Sequence, residues 1–344
     1  MALAACMIAK AGEPEAAAKA ADGTKTTAGE TTGRFTYGID YTGELHTDFQ
    51  GGSNCLNLLY LEGTWQLTRQ VQLKLATLSI AKWKESLLDD LQVFSNLEAE
   101  RMALTLPMAG VQYEWERGNV THALYAGLRN TGEDYFVSDV TSFFINSSCG
   151  IFPTLSANYP IATYPCSAMS LHYGLDTEHW GIRATLYNGV GNYRLTGRDN
   201  LWRICPQSDG LLGMAQAEYR QQGSSYFLGG SLQGSTPTLW SYAEQLLAHQ
   251  GDYSLQLMAA YSLSLDADSP CQRFAGLGFK LNVRSLEFGL FTDYADFSTQ
   301  HEYATELVCQ LPLGRYLYLK PALHYVNGTH SEGVIGMLRF GFQM

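Results

Sequence analysis

Residues 254–263, SLQLMAAYSL, decide the fold because their side chains alternate between two kinds of surface. One set of alternate positions is apolar and consists of Leu255, Leu257, Ala259, Tyr261 and Leu263. The positions between them are mostly small or polar. Successive side chains of a β-strand point to opposite faces of a sheet, so this pattern predicts a strand with one oily and one mainly polar face.

The same alternation continues along most of the chain. It recurs in 275–283, where Ala, Leu, Phe, Leu and Val alternate with Gly, Gly, Lys and Asn, and again in 180–187. Marking every such segment predicts sixteen strands, at 35–49, 56–67, 71–82, 108–117, 121–130, 168–176, 180–190, 210–221, 225–234, 239–249, 253–264, 272–283, 286–296, 301–312, 317–326 and 334–344.

The predicted connections alternate between short and long. The short ones are 68–70, 118–120, 177–179, 222–224, 250–252, 284–285 and 313–316. The longest of the others are 83–107, 131–167 and 191–209. Exported barrels have short turns at the periplasmic rim and longer loops outside the cell. We therefore predict that residues 35–344 form an all-β transmembrane antiparallel barrel of about sixteen strands, with long extracellular loops and 131–167 folded into the lumen.

The composition agrees with a surface that does not face water everywhere. Charged residues make up 16% of the 344 residues, below the about 25% of ordinary soluble domains. With 22 Lys+Arg and 33 Asp+Glu the formal net charge is −11, so we predict no nucleic-acid partner. A helical membrane span is excluded because no long apolar run exists. A soluble β-sandwich or propeller, with the oily faces packed inward, stays open as the alternative.

The N-terminal residues lack the alternation. Residues 1–11, MALAACMIAKA, are mostly apolar and end in the small-x-small form of a signal-peptidase site, so we interpret them as a signal-peptide remnant. An ordinary chain terminus is the alternative. Residues 12–34 are rich in Ala, Gly, Thr, Glu and Lys, and we expect a mobile periplasmic tail.

Several segments resemble the carbohydrate-selective porins (OprB-like). The most specific are FFINSSCG at 143–150, PTLS at 153–156, YP at 159–160 and YPCSA at 164–168. Weaker matches lie at 91–98, 113–116, 130–136, 187–189, 242–245 and 319–325. The resemblance implies a sixteen-stranded channel of the bacterial outer membrane that passes sugars by diffusion, with inward-folded loops narrowing the pore. Cys149 stands where an aromatic is commoner in that family, which puts the substrate choice in doubt.

A sugar-passing pore needs polar groups beside aromatic surfaces, each holding the solute weakly enough to release it. The alternation and the long loops give the candidates for the constriction and for sugar contact: Arg129, Glu133, Asp134, Tyr135, Phe136, Asp139, Arg183, Trp202, Arg203, Glu218 and Arg220. Further polar residues predicted to face the lumen are Lys74, Glu114, His172, Glu287, Glu306 and Lys320. For each of them the alternative is an ordinary solvated lumen residue. The mixed sign favours neutral solutes.

No catalytic or metal-binding pattern accompanies these residues. The eight His are scattered, and no G-x-S-x-G, H-E-x-x-H or P-loop occurs. We therefore predict neither an enzyme nor a cofactor nor a metal site. Cys149 and Cys166 bracket part of the long loop, and a disulfide or two free thiols remain open there.

The predicted function is passive diffusion of mono- or oligosaccharides through an outer-membrane porin. The other expected partners are outer-membrane lipid and, because the last strand resembles the segment read during barrel insertion, the barrel-assembly machinery. Whether the barrel is a homotrimer or a monomer stays open. The alternatives are a structural or adhesion barrel with a blocked lumen, and a channel for hydrophobic solutes, which predicts an apolar lumen.

Overall fold

A computed structural model describes residues 34–329 and 331–344. The predicted signal-peptide remnant and all of the predicted tail except Arg34 lie outside the described residues.

The chain forms a closed antiparallel barrel of sixteen strands. The first eight are β1 Phe35–Thr47, β2 Ser53–Gln66, β3 Val71–Lys82, β4 Met102–Arg117, β5 Val120–Arg129, β6 Ala168–Asp176, β7 Trp180–Asn188 and β8 Leu211–Gln221. The second eight are β9 Ser224–Gln233, β10 Thr236–Gln250, β11 Tyr253–Ser264, β12 Cys271–Val283, β13 Leu286–Phe297, β14 Gln300–Pro312, β15 Leu317–Gly328 and β16 Glu332–Gln343.

Every strand pairs with its neighbours in sequence, and β1 closes the barrel against β16. The closing register runs from Asp40 opposite Gln343 to Thr47 opposite Gly336. No strand edge is left between them, so the closure satisfies the backbone groups that an open sheet would expose.

The predicted strand count and fold class are confirmed, with two local differences. Strand β4 begins at Met102 rather than at 108, and Met102 pairs with Ile80 across an irregular register. The connections 234–235 and 298–299 are two residues each, although they lie at the rim where longer loops were predicted. Gly234 adopts φ +61°, which a tight hairpin turn accommodates.

The helices are short and lie in the connections at the long-loop rim. They are α1 Pro153–Ser156 and α2 Pro206–Asp209, with 3₁₀ helices at Thr131–Glu133, Thr141–Phe143 and Ser147–Cys149. Among the described residues, no helix has the length and hydropathy needed to cross a membrane.

The oily faces of the strands point away from the barrel axis, as predicted. Exposed side chains that alternate along the strands include Leu59, Leu61, Leu73, Leu75, Leu171, Leu228, Leu239, Leu277, Phe279, Leu281, Leu290, Leu307 and Leu323. The soluble alternative requires these residues to pack against one another, and they do not.

The inner wall is not polar throughout, although the sequence predicts mainly polar inward faces. Towards the long-loop rim it carries buried apolar residues, among them Leu58, Leu78, Trp240 and Phe274. Trp240 and Phe274 pack against side chains of the connection 130–167, which folds inside the barrel as predicted. Leu58 and Leu78 cluster with Leu97 of the connection 83–101 and with Tyr164. The inward face is therefore largely apolar where the loop covers it, apart from buried polar side chains such as Glu306 and Lys320, and polar near the short turns.

Candidate pore constriction

The connection 130–167, called the inner loop below, is closed at its base by Asn130. The Nδ2 of Asn130 donates to the Cys166 carbonyl oxygen at 2.7 Å, and its Oδ1 accepts from the Gly132 N–H at 2.7 Å. The Thr131 N–H donates to the Ala162 carbonyl oxygen at 2.8 Å. These bonds return the loop to the wall close to where it leaves β5.

Wall carboxylates hold the first half of the inner loop. Glu306 on β14 accepts the N–H of Ile145 at 2.9 Å and of Asn146 at 2.8 Å. Glu244 on β10 accepts the N–H groups of Val140 and Thr141, both at 3.2 Å, and the Ser138 hydroxyl. A carboxylate that accepts several backbone N–H groups forms strong charge-assisted hydrogen bonds. The loop is thus fastened to two separate strands of the barrel wall, β10 and β14.

The Lys320 side chain completes this fastening by donating to the Phe143 carbonyl oxygen at 2.8 Å. Glu306 and Lys320, two of the polar lumen residues predicted from the sequence, are buried under the loop. Both serve here as loop anchors. Sequence alternation places a residue on the inward face but does not tell whether water or a loop lies over it.

A second connection, 83–101, is fastened in a similar way. Glu302 on β14 accepts the N–H of Leu91 at 2.9 Å and of Gln92 at 2.8 Å. The Ser95 hydroxyl donates to Glu44 at 2.7 Å, and Arg339 contacts both Glu44 and Asn96. This loop therefore covers the wall near β1, β14 and β16.

The inner loop packs an apolar core against the wall. The Phe136 and Phe152 rings lie 4.6 Å apart, and Phe136 also contacts Trp240 at 5.3 Å. Tyr135 and Phe136, both predicted to contact sugar, are fully buried in this core. The Tyr135 hydroxyl donates to Thr185 at 2.9 Å. Both side chains position the loop and are covered in this conformation.

Between the inner loop and the wall next to the short turns lies a partly open, mainly polar cavity of about 190 Å³, called the inner vestibule below. Its lining comprises Glu133, Asp134, Val137, Gly181, Arg183, Gln216, Glu218 and Phe227. Four of these are predicted constriction residues, and the structure brings them together from the loop and from β7 and β8.

An ion pair joins the loop to the wall at the edge of this vestibule. Arg129 Nη2 donates to Asp134 Oδ1 at 2.6 Å in a two-pronged contact, and His172 Nδ1 lies 3.4 Å from the same carboxylate. Burial alone raises the pKa of Asp134, but the Arg129 charge outweighs it and leaves the pKa below its ordinary value. Asp134 is therefore ionised at neutral pH.

Further ion pairs line the wall beside it. Arg183 contacts Asp176 at 2.9 Å, and Arg220 contacts Glu218 at 2.7 Å. These side chains are partly exposed to the lumen. Alternating guanidinium and carboxylate groups can donate to and accept from the hydroxyls of a passing solute.

The remaining predicted residues lie in three places. Lys74 and Glu114 face the lumen near Glu133. Glu287 on β13 pairs with Lys280 on β12 at 2.8 Å, and the exposed Asp139 of the inner loop lies near Lys280. Trp202 and Arg203 lie apart from these, in the connection 189–210 at the other rim, where Arg203 binds Asp199 and Asp209.

Sequence reasoning missed three residues of this region. Val137 is exposed between the buried residues of the inner loop, and Phe227 is the apolar member of the vestibule lining. The Tyr60 hydroxyl donates to Glu133 at 3.3 Å. Tyr60 and Phe227 alternate with outward-facing Leu59 and Tyr226, so the strand parity contains the signal for their direction.

The barrel is similar to those of solved porin structures. A Pseudomonas putida OprB structure at low pH matches at a TM-score of 0.62 and 14% identity, over 90% of this chain and 93% of that one. The fold is that of the porins. A mutant Rh. blastica porin matches at 0.58 and 6% identity, over 90% and 100% of the two chains. A Vibrio cholerae outer-membrane protein, OmpT lacking loop L8, matches at 0.54 and 8% identity, over 90% and 99%.

The sequence comparisons gave no match. No family model matches the chain, and no curated protein sequence matches it. The porin-like fold is therefore shown by the structural similarity alone.

The cysteines resolve one question left open by the sequence. Cys149 and Cys166 are both free and buried. Burial raises the pKa of the Cys149 thiol well above its ordinary value and that of Cys166 to about 12. Both therefore act as small apolar side chains in the inner loop.

Proposed function

We propose that this protein is a porin of the bacterial outer membrane through which small neutral sugars diffuse passively. One observation carries the proposal: a closed barrel with an apolar exterior encloses a vestibule lined by paired guanidinium and carboxylate groups. Such groups match the hydroxyls of a sugar without requiring it to carry charge. The OprB structure with the same fold supports sugars as the solute class.

The residues proposed to contact the solute are those that the inner loop leaves uncovered. Arg183, Glu218 and Glu133 line the vestibule, with Phe227 as an apolar surface for the C–H face of a sugar ring. Arg129 and Asp134 hold the loop at the edge and set the width. Trp202 and Arg203 act at the outer entrance. Each solute contact is weak because rapid release is a condition of flux.

Liposome swelling tests the proposal directly. Vesicles containing the refolded protein should admit a monosaccharide such as glucose faster than empty vesicles, with rates falling for di- and trisaccharides. Arg183→Ala should change the rate of glucose entry. The variant barrel should stay folded, which its heat-modifiable mobility in gel electrophoresis would show. Swelling no faster than that of empty vesicles would refute the porin proposal.

A barrel with a blocked lumen, serving structure or adhesion, is the second candidate. The observation that favours it is the apolar core that the inner loop builds inside the barrel around Phe136, Phe152 and Trp240. This candidate predicts no conductance in planar bilayers. The first candidate predicts small steady steps, because the vestibule is polar and lies beside the core.

Outer-membrane lipid and the barrel-assembly machinery are the proposed partners of biogenesis. The outward residues of β16, including Val334, Leu338, Phe340 and Phe342, give the strand an apolar face for that recognition. Crosslinking in native membranes would distinguish a homotrimer from a monomer.

A further inference from the structure

We propose that the inner vestibule makes the channel prefer cationic over anionic solutes, so that protonated amino sugars pass and sugar acids are disfavoured. This rests on the proposed porin function and adds a charge class to it. The charges that face the lumen beside the short turns carry the argument.

The wall from β2 to β8, together with the start of the inner loop, holds more acids than bases. Facing this space are the carboxylates of Glu62, Glu114, Glu133, Asp134, Asp176 and Glu218. The bases there are Lys74, Arg129, Arg183 and Arg220. The arc therefore has two more negative than positive groups.

The opposite side of the lumen adds to the same sign. Glu287 on β13 pairs with Lys280 on β12, Asp139 lies nearby on the inner loop, and Asp40 lies on the inward face of β1. Beneath the loops of this side, Arg339 pairs with Glu44 and Lys320 lies near Glu306, so these two bases are matched by acids and an excess of two acids remains. The two sides do not cancel, so the lumen around the inner vestibule carries net negative charge, as does the vestibule lining itself, with Glu133, Asp134 and Glu218 against Arg183.

Carboxylates also lie beside each base of this region. Arg129, Arg183, Arg220 and Lys280 each lie within ion-pair distance of a carboxylate. Around Lys74, the charges of Glu133, Asp134 and Glu114 oppose that of the neighbouring Arg129. The excess negative charge is therefore centred near Glu133, which also contacts Tyr60 at the surface of the inner loop.

The geometry strengthens this excess. The vestibule is narrow and enclosed by a wall of low dielectric constant, which focuses the field of fixed charges and concentrates counterions. Rings of Asp and Glu give cation preference in channels by the same physics. A neutral sugar is little affected, whereas a sugar acid has to enter against the field.

The test is the reversal potential of the single channel in a KCl gradient. We expect a sign showing that K⁺ permeates better than Cl⁻, by at least about threefold at low salt, and a decline at high salt as screening increases. Replacing K⁺ on one side by protonated glucosamine should leave the preference cationic, whereas gluconate should carry less current than chloride.

Two variants locate the effect. Glu114→Gln with Glu133→Gln should lower the permeability ratio by at least half, and Glu114→Lys should lower it further. Glu332→Gln is the matched control, because Glu332 is exposed on β16 and its side chain points outward. It should leave the ratio unchanged.

The outcomes distinguish failure of the proposed charge preference from failure of the proposed porin function. Glucose flux with a ratio near one, or with a preference for Cl⁻, would overturn the charge preference and leave the porin function standing. Absence of both glucose flux and conductance would instead overturn the porin function itself. An equal fall of the ratio in Glu332→Gln would show that the vestibule is not its source.

Discussion

At the residue scale, the buried Arg129–Asp134 ion pair allows a direct test of how much one contact contributes to stability. Both side chains are almost fully buried, so removing one leaves the other charged without its partner. Breaking a buried pair in this way costs about 3–5 kcal/mol. Arg129→Gln should therefore lower the unfolding free energy by that order in a denaturant titration of the folded barrel. The double variant with Asp134→Asn should recover part of the loss.

The pair Lys82–Glu85, whose acidic partner is exposed, provides the comparison for this prediction. The Glu85 side chain is 86% exposed, and Glu85→Gln should change stability little, because water already solvates that carboxylate. A strictly additive double variant at Arg129 and Asp134 would contradict the assigned coupling.

The direction of such residues was predictable, but their environment was not. Parity along a strand puts Glu306 and Lys320 on the inward face as surely as Arg183. What covers each of them depends on contacts across the chain, such as Glu306 with Ile145, which are 161 positions apart. Local sequence does not contain that information.

At the element scale, the inner loop keeps its place through wall carboxylates, which can be removed one by one. Glu306→Ala and Glu244→Ala each delete the acceptor of two backbone N–H bonds from the loop. The loop should then become mobile, and single-channel conductance should rise and become noisier. The barrel should stay folded because its strand ladders are untouched.

Glu332→Ala, which removes an outward carboxylate, controls for a general loss of charge. Conductance steps that stay identical to those of the parent protein in both loop variants would show that the loop does not set the pore width. Element positions were largely predictable, since the period of two persists through each strand. The early start of β4 was not, because an irregular register with β3 breaks the alternation there.

At the scale of the whole molecule, the proposed outer-membrane location depends on lipid surrounding the barrel. Leu228 is 67% exposed near the middle of β9. In a bilayer a charge at such a position costs about 2–4 kcal/mol for Arg at the midplane and about 0–1 near the interfaces. Leu228→Arg should therefore reduce the unfolding free energy in lipid vesicles by the larger amount. The same change at Leu265, which is 55% exposed in a connection at the rim, should reduce it little. Equal costs at the two positions would mean that no hydrocarbon layer covers the strands, which would contradict the proposed location of the channel in a membrane. This outcome does not depend on any solute, so it tests the embedding of the barrel even if the channel carries something other than sugar.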